Sequence, residues 1–471
     1  MRCGSRVYSY EEAQCIMESL AARLCWWNVQ GNVVVSMRSS PEFVFTLFAL
    51  FMCGATPIPV NPGYTAHELG QVIGTSGASC VATVEDRCLC LRLVGADTVH
   101  RVDLYSLLAN REECTCVTGR DPSSRAIMFF TSGSTGKMKA VVHTFQSLCA
   151  NPGVLVETLG IKAEDIYLIG VPLFHLFGFC PGMLSAILQG AEIVMTDTIG
   201  SIGLAHALQS NHVSVLLCNG AMLAQLLSRL ESRTYDLSAL RLMLISGSIA
   251  PAHLLTRAIN TVCKNTLNLY GATETGIMSL TRPGDGVHSL TATVGRPLPG
   301  INIRIVDDGH KSVASGVVGE IACNTFSLFR DYHGMPALRA RVVDSNGWYY
   351  TGDMGKIDDG GCITIVGRKD EMIIKCGFNI FPREVELALL EHPMIRDAAV
   401  VGIPDSTYGE IVRAVVTTKD RDEITSDEIV DFCRERLISY KVPDQIVIAS
   451  ELPLTSTGKI LKHELRRTNL S

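Results

Sequence analysis

The sequence carries little net charge and no concentrated basic segment. Its 41 Lys and Arg residues nearly balance its 47 Asp and Glu residues, for a formal net charge of -6 at pH 7. Nucleic-acid-binding proteins cluster Lys and Arg side chains to neutralise phosphates. The absence of a polybasic block therefore argues against nucleic acid as a partner.

The 17 cysteines include no CxxC pair; the nearest spacings are Cys88-Leu-Cys90 and Cys114-Thr-Cys116. This excludes the usual zinc-binding and thioredoxin motifs. An odd number of cysteines scattered through apolar runs is typical of buried thiols in a reducing compartment. We therefore expect a cytoplasmic protein.

Targeting and membrane-spanning segments are also missing. The start, MRCGSRVYSYEEA, turns polar at once and does not resemble a signal peptide. The run Phe43 to Val60 is apolar, but Gly54, Pro57 and Pro59 limit its helical part to about 10 residues, below the roughly 20 that a bilayer needs. It predicts a buried helix that leads into a buried strand, and no membrane span.

What is present is typical of a large α/β protein. With 47% hydrophobic residues, 471 residues can form more than one folding unit. A predicted helix over Ser9 to Leu24 precedes short strand-like runs that alternate with helical stretches, a pattern typical of parallel sheets. From about Gly295 the sequence becomes β-rich, and beyond Arg368 helix and strand are mixed.

We predict an α/β fold of two domains. Residues 1–369 form a large N-terminal domain, with parallel sheets covered by helices plus a β-rich subdomain. Residues 370–471 form a small, mobile α+β C-terminal domain, a size typical of an independent domain.

The strongest local motif is TSGSTGKMK, Thr131 to Lys139, which follows the apolar run Ala126 to Phe130. Glycine N–H groups, hydroxyls and a Lys in such a loop can surround phosphate oxygens. The Walker pattern fails because its glycine spacing is wrong and Met138 follows the Lys where a Ser or Thr should stand. Alone, the motif is compatible with a polar turn or with a different phosphate loop.

Four further segments accompany the loop in a fixed order: VPLFHLFG (171–178), LYGATETG (269–276), YYTGDMGK (349–356) with VGRKDEMIIKCGFNIFPREVE (366–386), and LPLTSTGKILKHELR (452–466). Together they resemble the adenylate-forming superfamily, which includes acyl- and aryl-CoA synthetases, firefly luciferase and peptide-synthetase adenylation domains. NPGYTAHEL (61–69) and PDSTYGE (404–410) are similar to the CoA-ligase branch. The resemblance covers nearly the whole chain.

The resemblance implies an ATP site built from several segments. The β- and γ-phosphates would be bound by the loop residues Thr131, Ser132, Gly133, Ser134, Thr135, Gly136 and Lys139. Glu274 would bind Mg²⁺, which prefers carboxylate oxygen, and Thr273 would contact the α-phosphate. Asp353 would bind the ribose hydroxyls, and Arg368 would contact ribose or phosphate. The adenine and acyl regions would be lined by Gly247, Ser248, Tyr270, Gly271 and Ala272.

Two residues would act on the reacting carboxylate. Lys459, in STGKI, matches the lysine that reaches the carboxylate and α-phosphate during adenylation. His175 occupies a position where amino-acid-activating domains carry an Asp that pairs with the substrate's ammonium group. A His there argues against an amino-acid substrate. Other than His175, the predicted pocket segments are uncharged, which favours an apolar aliphatic or aryl acid.

Thiol transfer would need a second arrangement of the C-terminal domain. Asp370 matches the family's hinge position, and Gly377 matches a glycine beside the pantetheine tunnel, where a side chain would block the channel. Cys376 stands beside it, where some members have Gly.

The predicted activity is an ATP-dependent acid–thiol ligase. It would form an acyl-adenylate and pyrophosphate with ATP and Mg²⁺, then transfer the acyl group to coenzyme A and release AMP. The alternatives are an enzyme that loads the phosphopantetheine arm of an acyl or peptidyl carrier protein, a catalytically inactive acyl- or nucleotide-binding relative, and a luciferase-like oxygenase.

Overall fold

The computed structural model describes residues 1–4, 6–85, 88–109, 120–132, 138–195, 201–247, 250–419, 424–454 and 460–467. The strands are β1 (Arg2–Cys3), β2 (Arg6–Val7), β3 (Asn32–Ser36), β4 (Thr56–Val60), β5 (Cys80–Glu85), β6 (Cys88–Leu93), β7 (Val99–Asp103), β8 (Arg125–Ser132), β9 (Met138–Thr144), β10 (Ile166–Ile169), β11 (Glu192–Met195), β12 (Val215–Cys218), β13 (Leu242–Ile245), β14 (Thr266–Ala272), β15 (Gly276–Leu280), β16 (Arg296–Pro297), β17 (Asn302–Val306), β18 (Gly319–Asn324), β19 (Asp331–Tyr332), β20 (Tyr349–Ile357), β21 (Ile363–Arg368), β22 (Ile373–Lys375), β23 (Phe378–Ile380), β24 (Ile395–Asp405), β25 (Gly409–Thr418) and β26 (Gln445–Ile448).

The α-helices are α1 (Tyr10–Trp26), α2 (Pro41–Cys53), α3 (Ala66–Ser76), α4 (Ser106–Ala109), α5 (Phe145–Leu159), α6 (Ser185–Gln189), α7 (Ser201–Ser210), α8 (Gly220–Ser232), α9 (Ala252–Thr261), α10 (Val287–Ala292), α11 (Pro336–Val342), α12 (Pro382–Leu390), α13 (Ser426–Arg434) and α14 (Lys462–Arg467). A π-helix covers Gly178–Leu184, and 3-10 helices cover Lys369–Glu371 and Ser439–Lys441.

Local signals account for the helices that the sequence predicts. Helix α1 begins at a capping box in which the Ser9 hydroxyl accepts from the Glu12 N–H at 3.0 Å and the Glu12 carboxylate accepts from the Ser9 N–H at 2.8 Å. The apolar run from Phe43 is helix α2, which ends at the left-handed Gly54 and leads into the buried strand β4. Both predictions are confirmed, and no helix in the described part of the chain is long and apolar enough to span a bilayer.

The chain divides into two compact units. The first comprises Met1–Asn302 and Cys323–Tyr349, and the second comprises Ile303–Ala322 and Tyr350–Ser471. The predicted boundary after residue 369 is a different division of the chain, and it stays a prediction.

The first unit contains three sheets. The largest has the strand order β16-β15-β14-β13-β12-β10-β11-β1-β2, and its central strands from β14 to β1 are parallel. A second sheet, β4-β3-β5-β6-β7, is parallel around β3. The third, β19-β9-β8, is antiparallel. The predicted α/β fold with parallel sheets is confirmed.

The second unit contains the β-rich sheet β17-β18-β20-β21 and a sheet of order β23-β22-β25-β24, with β26 parallel to β25. Helices α12 and α13 supply Val385, Leu389, Ile429 and Cys433 to an apolar core shared with strands β24 and β25. Its mixture of helix and antiparallel strand agrees with the predicted α+β character of the C-terminal part.

The fifteen cysteines in the described ranges form no disulfide bond with one another. Eight of these fifteen are buried, and two, Cys149 and Cys376, are exposed. Burial raises the pKa of Cys218 to about 12, so this thiol is protonated and unreactive.

Candidate active site

The predicted phosphate loop connects two antiparallel strands. In β8 and β9, Thr131 pairs with Lys139, and Ser132 pairs with Met138. The loop residues Gly133, Ser134, Thr135 and Gly136 lie outside the described residues. The motif therefore joins strand to strand, whereas a Walker loop joins strand to helix.

The segment LYGATETG forms the end of β14, a short turn and the start of β15. A Cβ atom added to Gly271 would lie 2.2 Å from the carbonyl oxygen of Gly276. Such a distance leaves no room for a side chain, so glycine at this position permits the close approach of the two strands. Thr273 and Glu274 stand at the tip of the turn that this approach creates.

Each backbone carbonyl from Ala272 to Gly276 accepts a hydrogen bond. The donors are the Thr275 N–H to Ala272 at 3.1 Å, His143 Nε2 to Thr273 at 2.7 Å, the Phe329 N–H to Glu274 at 2.7 Å, the Ser327 hydroxyl to Thr275, and the Thr275 hydroxyl to Gly276 at 3.1 Å. A turn with every carbonyl bound has little freedom to change its peptide orientations.

The Glu274 carboxylate is held at one oxygen, where the Tyr332 hydroxyl donates to Oε1 at 2.8 Å. The ring of Tyr332 also lies 5.8 Å from Nζ of Lys139. No group of three or more His, Cys, Asp or Glu side chains that could hold a metal occurs among the described residues. A single carboxylate suits Mg²⁺, which takes one or two protein carboxylates and substrate phosphates as its ligands.

His143 on β9 is a site residue that the sequence did not reveal. Its side chain is buried, Nδ1 lies 3.0 Å from the Ser147 hydroxyl, and Nε2 contacts the Thr273 carbonyl. Burial lowers its pKa to about 4, so the ring is neutral near pH 7. In the sequence, AVVHT reads as an ordinary strand with one inward-facing histidine, because its partner stands 130 residues away.

His175 follows strand β10 and lies three residues before the π-helix begins at Gly178. Its ring centroid lies 4.7 Å from that of Phe174, and its carbonyl accepts from the Phe179 N–H at 3.0 Å. All seven residues of the π-helix are buried. A Cβ on Gly178 would lie 2.4 Å from the Pro172 carbonyl oxygen, so the entry into this helix also requires glycine.

The order of the parallel strands places several predicted site residues at the carboxyl ends of neighbouring strands. Strands β10, β12, β13 and β14 are neighbours and parallel, and His175 follows β10, Gly247 follows β13 and Tyr270 lies near the end of β14. The carboxyl edge of a parallel sheet is where ligands bind in such folds. Gly247 has φ 93, which favours glycine, and Ser248 lies outside the described residues.

The second unit brings Asp353 and Arg368 together. They pair across strands β20 and β21, and Arg368 Nη1 donates to Asp353 Oδ1 at 2.9 Å and to the Thr351 carbonyl at 3.1 Å. The Arg368 Nε also lies 3.4 Å from Asp370 Oδ1. The guanidinium therefore orients the carboxylate that we assigned to ribose.

Charged side chains hold the residues on both sides of Asp370. Lys369 Nζ lies 2.9 Å from Asp308 and 3.0 Å from Glu320, and these carboxylates raise the pKa of the Lys369 ammonium. On the other side, Glu371 lies 2.6 Å from Lys462 Nζ. Asp370 therefore stands between two anchored neighbours.

Gly377 forms the β22–β23 turn together with Cys376. Both residues have left-handed backbones, with φ 80 and φ 52, and a Cβ on Gly377 would meet no atom within 4 Å. The backbone conformation is thus a reason for glycine that the sequence did not supply.

Lys459 lies outside the described residues. Its segment connects Leu454 and Ile460, which form an antiparallel bridge.

Comparison with known proteins gives two family matches. Residues 1–333 match the family described as AMP-binding enzyme, and residues 384–459 match the AMP-binding enzyme C-terminal domain. The medium-chain fatty-acid–CoA ligase of Escherichia coli (strain K12) is 31% identical over 448 residues, covering 90% of this chain and 79% of that one. A feruloyl-CoA synthase of Amycolatopsis sp. is 31% identical over 475 residues, covering 99% and 95%.

Among solved structures, o-succinylbenzoate CoA synthetase (MenE) of Bacillus subtilis, in complex with its acyl-adenylate intermediate, has a TM-score of 0.89 at 24% identity. The match covers 100% of this chain and 95% of that one. It establishes the fold.

Proposed function

We propose an acid substrate and residue roles for this chain, which belongs to the AMP-binding enzyme family and catalyses ATP-dependent ligation of a carboxylic acid to coenzyme A. The acid is apolar, and the residues described above each perform one part of the reaction. The enzyme uses ATP, Mg²⁺ and CoA, and it passes through an acyl-adenylate. The observation that carries the assignment of residues is the fully hydrogen-bonded turn that presents Thr273 and Glu274.

Adenylation is chiefly a problem of position and charge. The acid's carboxylate oxygen attacks the α-phosphorus, its new P–O bond forms, and the bond to pyrophosphate breaks. Thr273 contacts the α-phosphate, and Glu274 would hold Mg²⁺, which neutralises charge on the phosphate oxygens when bound. Thr131, Lys139 and the loop between them bind the leaving phosphates, and Lys459 contacts the reacting carboxylate.

Asp353 and Arg368 supply contacts to the nucleoside. An ionised carboxylate can accept hydrogen bonds from two neighbouring hydroxyls, which suits Asp353 for the ribose. Arg368 fixes the orientation of that carboxylate through its 2.9 Å bond, and it has further N–H groups for phosphate or ribose oxygen.

The acid is proposed to be an apolar aliphatic or aryl carboxylate. Segments 174–182, 217–222, 246–249 and 271–272 contain no Asp, Glu, Lys or Arg, and His175 is their one titratable imidazole. A buried carboxylate would be needed to bind the ammonium group of an amino acid, because an unpaired charge is costly to bury. The described parts of these segments offer none.

Asp370 is proposed as the pivot that separates adenylation from thiol transfer, with the moving part beginning at residue 370. Its neighbours are held by ion pairs on either side, which would confine a backbone rotation to one residue. Gly377 would lie beside the arriving pantetheine. We further propose a cytoplasmic location, which agrees with fifteen described cysteines that form no disulfide bond with one another.

ATP–pyrophosphate exchange over a panel of carboxylic acids tests the proposal. Apolar acids should support exchange better than amino acids, and AMP should accumulate when CoA is added. Release of ADP and phosphate would contradict adenylation, whereas the absence of exchange with every acid would favour an inactive relative. CoA and a phosphopantetheinylated carrier protein are offered separately; faster AMP release with the carrier would identify a carrier-loading enzyme.

A further inference from the structure

His143 is a buried titratable group that the proposed mechanism does not use. It lies on β9, five positions after Met138, where the chain leaves the phosphate loop. Its side chain joins two elements, since one ring nitrogen faces Ser147 on helix α5 and the other faces the Thr273 carbonyl. The histidine therefore links the strand behind the phosphate loop to the turn that carries Thr273 and Glu274.

The hydrogen-bond partners place the ring proton. A carbonyl oxygen can only accept, so the nitrogen at 2.7 Å from Thr273, Nε2, carries the hydrogen. Nδ1 then has a lone pair and accepts from the Ser147 hydroxyl at 3.0 Å. The ring is thus a neutral imidazole in a single tautomer, with its one N–H group directed at the turn.

The Thr273 carbonyl depends on this side chain in a way that the other turn carbonyls do not. The Ala272 and Gly276 carbonyls are bound from within the turn by Thr275, and the Glu274 and Thr275 carbonyls are bound by segment 327–329. His143 instead makes a direct hydrogen bond to the turn from strand β9, which follows the phosphate loop. Without it, the peptide plane between Thr273 and Glu274 loses its partner on that side.

We propose that His143 is a positioning residue for adenylation, which acts through the Thr273 carbonyl to keep the α-phosphate and metal contacts in register with the phosphate loop. The inference rests on the proposed roles of Thr273 and Glu274. It places the larger effect of His143 in the first half-reaction, because the β- and γ-phosphates bound by the loop are present only in that step, whereas the α-phosphate stays in the acyl-adenylate.

The test compares His143→Leu with His143→Gln. Leucine removes the donor, and kcat for ATP–pyrophosphate exchange should fall on the order of 10²-fold, the usual cost of a misplaced reacting group. KM for ATP should change little. Glutamine can offer a neutral N–H near the position of Nε2, and it should recover most of the loss. In both variants the rate of thioester formation from pre-formed acyl-adenylate and CoA should fall far less than the rate of exchange.

A matched control separates positioning from stability. The Thr266 hydroxyl is buried and donates to the Cys263 carbonyl at 2.7 Å. Thr266 lies on β14, the strand that leads into the turn, and Thr266→Val removes this hydrogen bond without changing a contact of the turn. It should lower the unfolding temperature and leave exchange intact. An equal loss of exchange in Thr266→Val and His143→Leu, or equal damage to both half-reactions in His143→Leu, would overturn the proposal.

Two further outcomes are distinguishable. If His143→Leu does not fold, Ser147→Ala replaces it; loss of the donor to Nδ1 should lower exchange about fivefold, and unchanged exchange would overturn the inference. If wild-type protein supports no exchange with any acid, the proposed function itself fails, whereas wild-type exchange retained in His143→Leu rejects only the role of His143.

Discussion

Two short segments with assigned roles in the same reaction are held by opposite kinds of interaction. The turn from Ala272 to Gly276 is fixed by hydrogen bonds from uncharged groups, and its donor His143 is 1% exposed. The segment from Arg368 to Glu371 is held by charged pairs, and the side chains of Arg368 and Asp370 are 43% and 38% exposed. The residues that donate to the first are buried, whereas Arg368 and Asp370 in the second remain open to water.

The difference follows from what it costs to break each kind of contact. A buried carbonyl that loses its donor is left unsatisfied, at about 1–3 kcal/mol, because water cannot replace the donor. An exposed ion pair contributes about 0–1 kcal/mol, since both groups are solvated when it opens. The turn is therefore suited to keep one geometry through the reaction, and the segment is suited to exchange partners.

The largest expected effect tests the rigid side of this comparison. Glu274→Gln keeps the shape of the side chain but removes its charge, so exchange should fall 10²–10³-fold, the scale for loss of one electrostatic contact to a transition state. Initial rates are measured against Mg²⁺ concentration. Tyr332→Phe, which removes the hydroxyl that donates to Glu274, is the matched variant and should lose less. Wild-type exchange in Glu274→Gln would remove this residue from the metal site.

A pH titration of stability measures how well the His143 ring beside the turn is shielded from water. Burial lowers the pKa of His143 from 6.5 to about 4. Between these two pH values the histidine is protonated in the unfolded chain but not in the folded chain. The contribution of His143 to the free energy of unfolding is therefore fully present above about pH 6.5. It declines by about 3 kcal/mol in all as the pH falls towards 4. The difference in unfolding free energy between wild type and His143→Gln should shrink accordingly in denaturant titrations. A difference that is constant with pH would show a solvated ring.

Asp370→Pro tests the movable side. Proline fixes φ and blocks the backbone rotation that a pivot needs. Exchange should be nearly normal, while thioester formation from pre-formed acyl-adenylate should fall on the order of 10²-fold, because the reacting groups are no longer brought into position. Equal loss in both half-reactions would mean that the segment does not pivot at this residue.

Asp370→Asn should give the smallest effect. It removes the carboxylate that lies 3.4 Å from Arg368 but leaves φ free. We expect less than about 1 kcal/mol change in unfolding free energy and less than about a fivefold change in thioester formation. A loss as large as that of the proline variant would show that the charge of Asp370, and not its backbone, matters.

Local patterns in the sequence predicted the elements but not all of their connections. Helix α1 and the α2–β4 passage were predictable because caps, glycine and proline act within a few residues. The position of the phosphate loop between two paired strands was not predictable, because the sequence from Met138 to Thr144 gives no sign that it pairs with β8. The long sheet depends on contacts such as the parallel pairing of β1 with β11, which no local pattern encodes.

The site shows the same limit. Motifs led to predicted roles for Thr273, Glu274, Asp353 and Arg368, because each residue stands in a segment of several characteristic residue types at fixed spacing. The supporting residues His143, Phe329 and Tyr332 each stand apart in sequence from the turn that they bind, and each has an ordinary residue type for a buried strand or loop. Such partners become visible only when the fold brings them together.

The π-helix at Gly178–Leu184 has a consequence for how relatives of this enzyme can diverge. Each of its hydrogen-bonded turns contains one residue more than an α-helical turn. Deleting a single residue from this segment could restore α-helical bonding while the flanking strand β10 and helix α6 keep their places. Since this segment belongs to the proposed acyl pocket, insertion or deletion of one codon offers a route to a new acid specificity that point substitution does not.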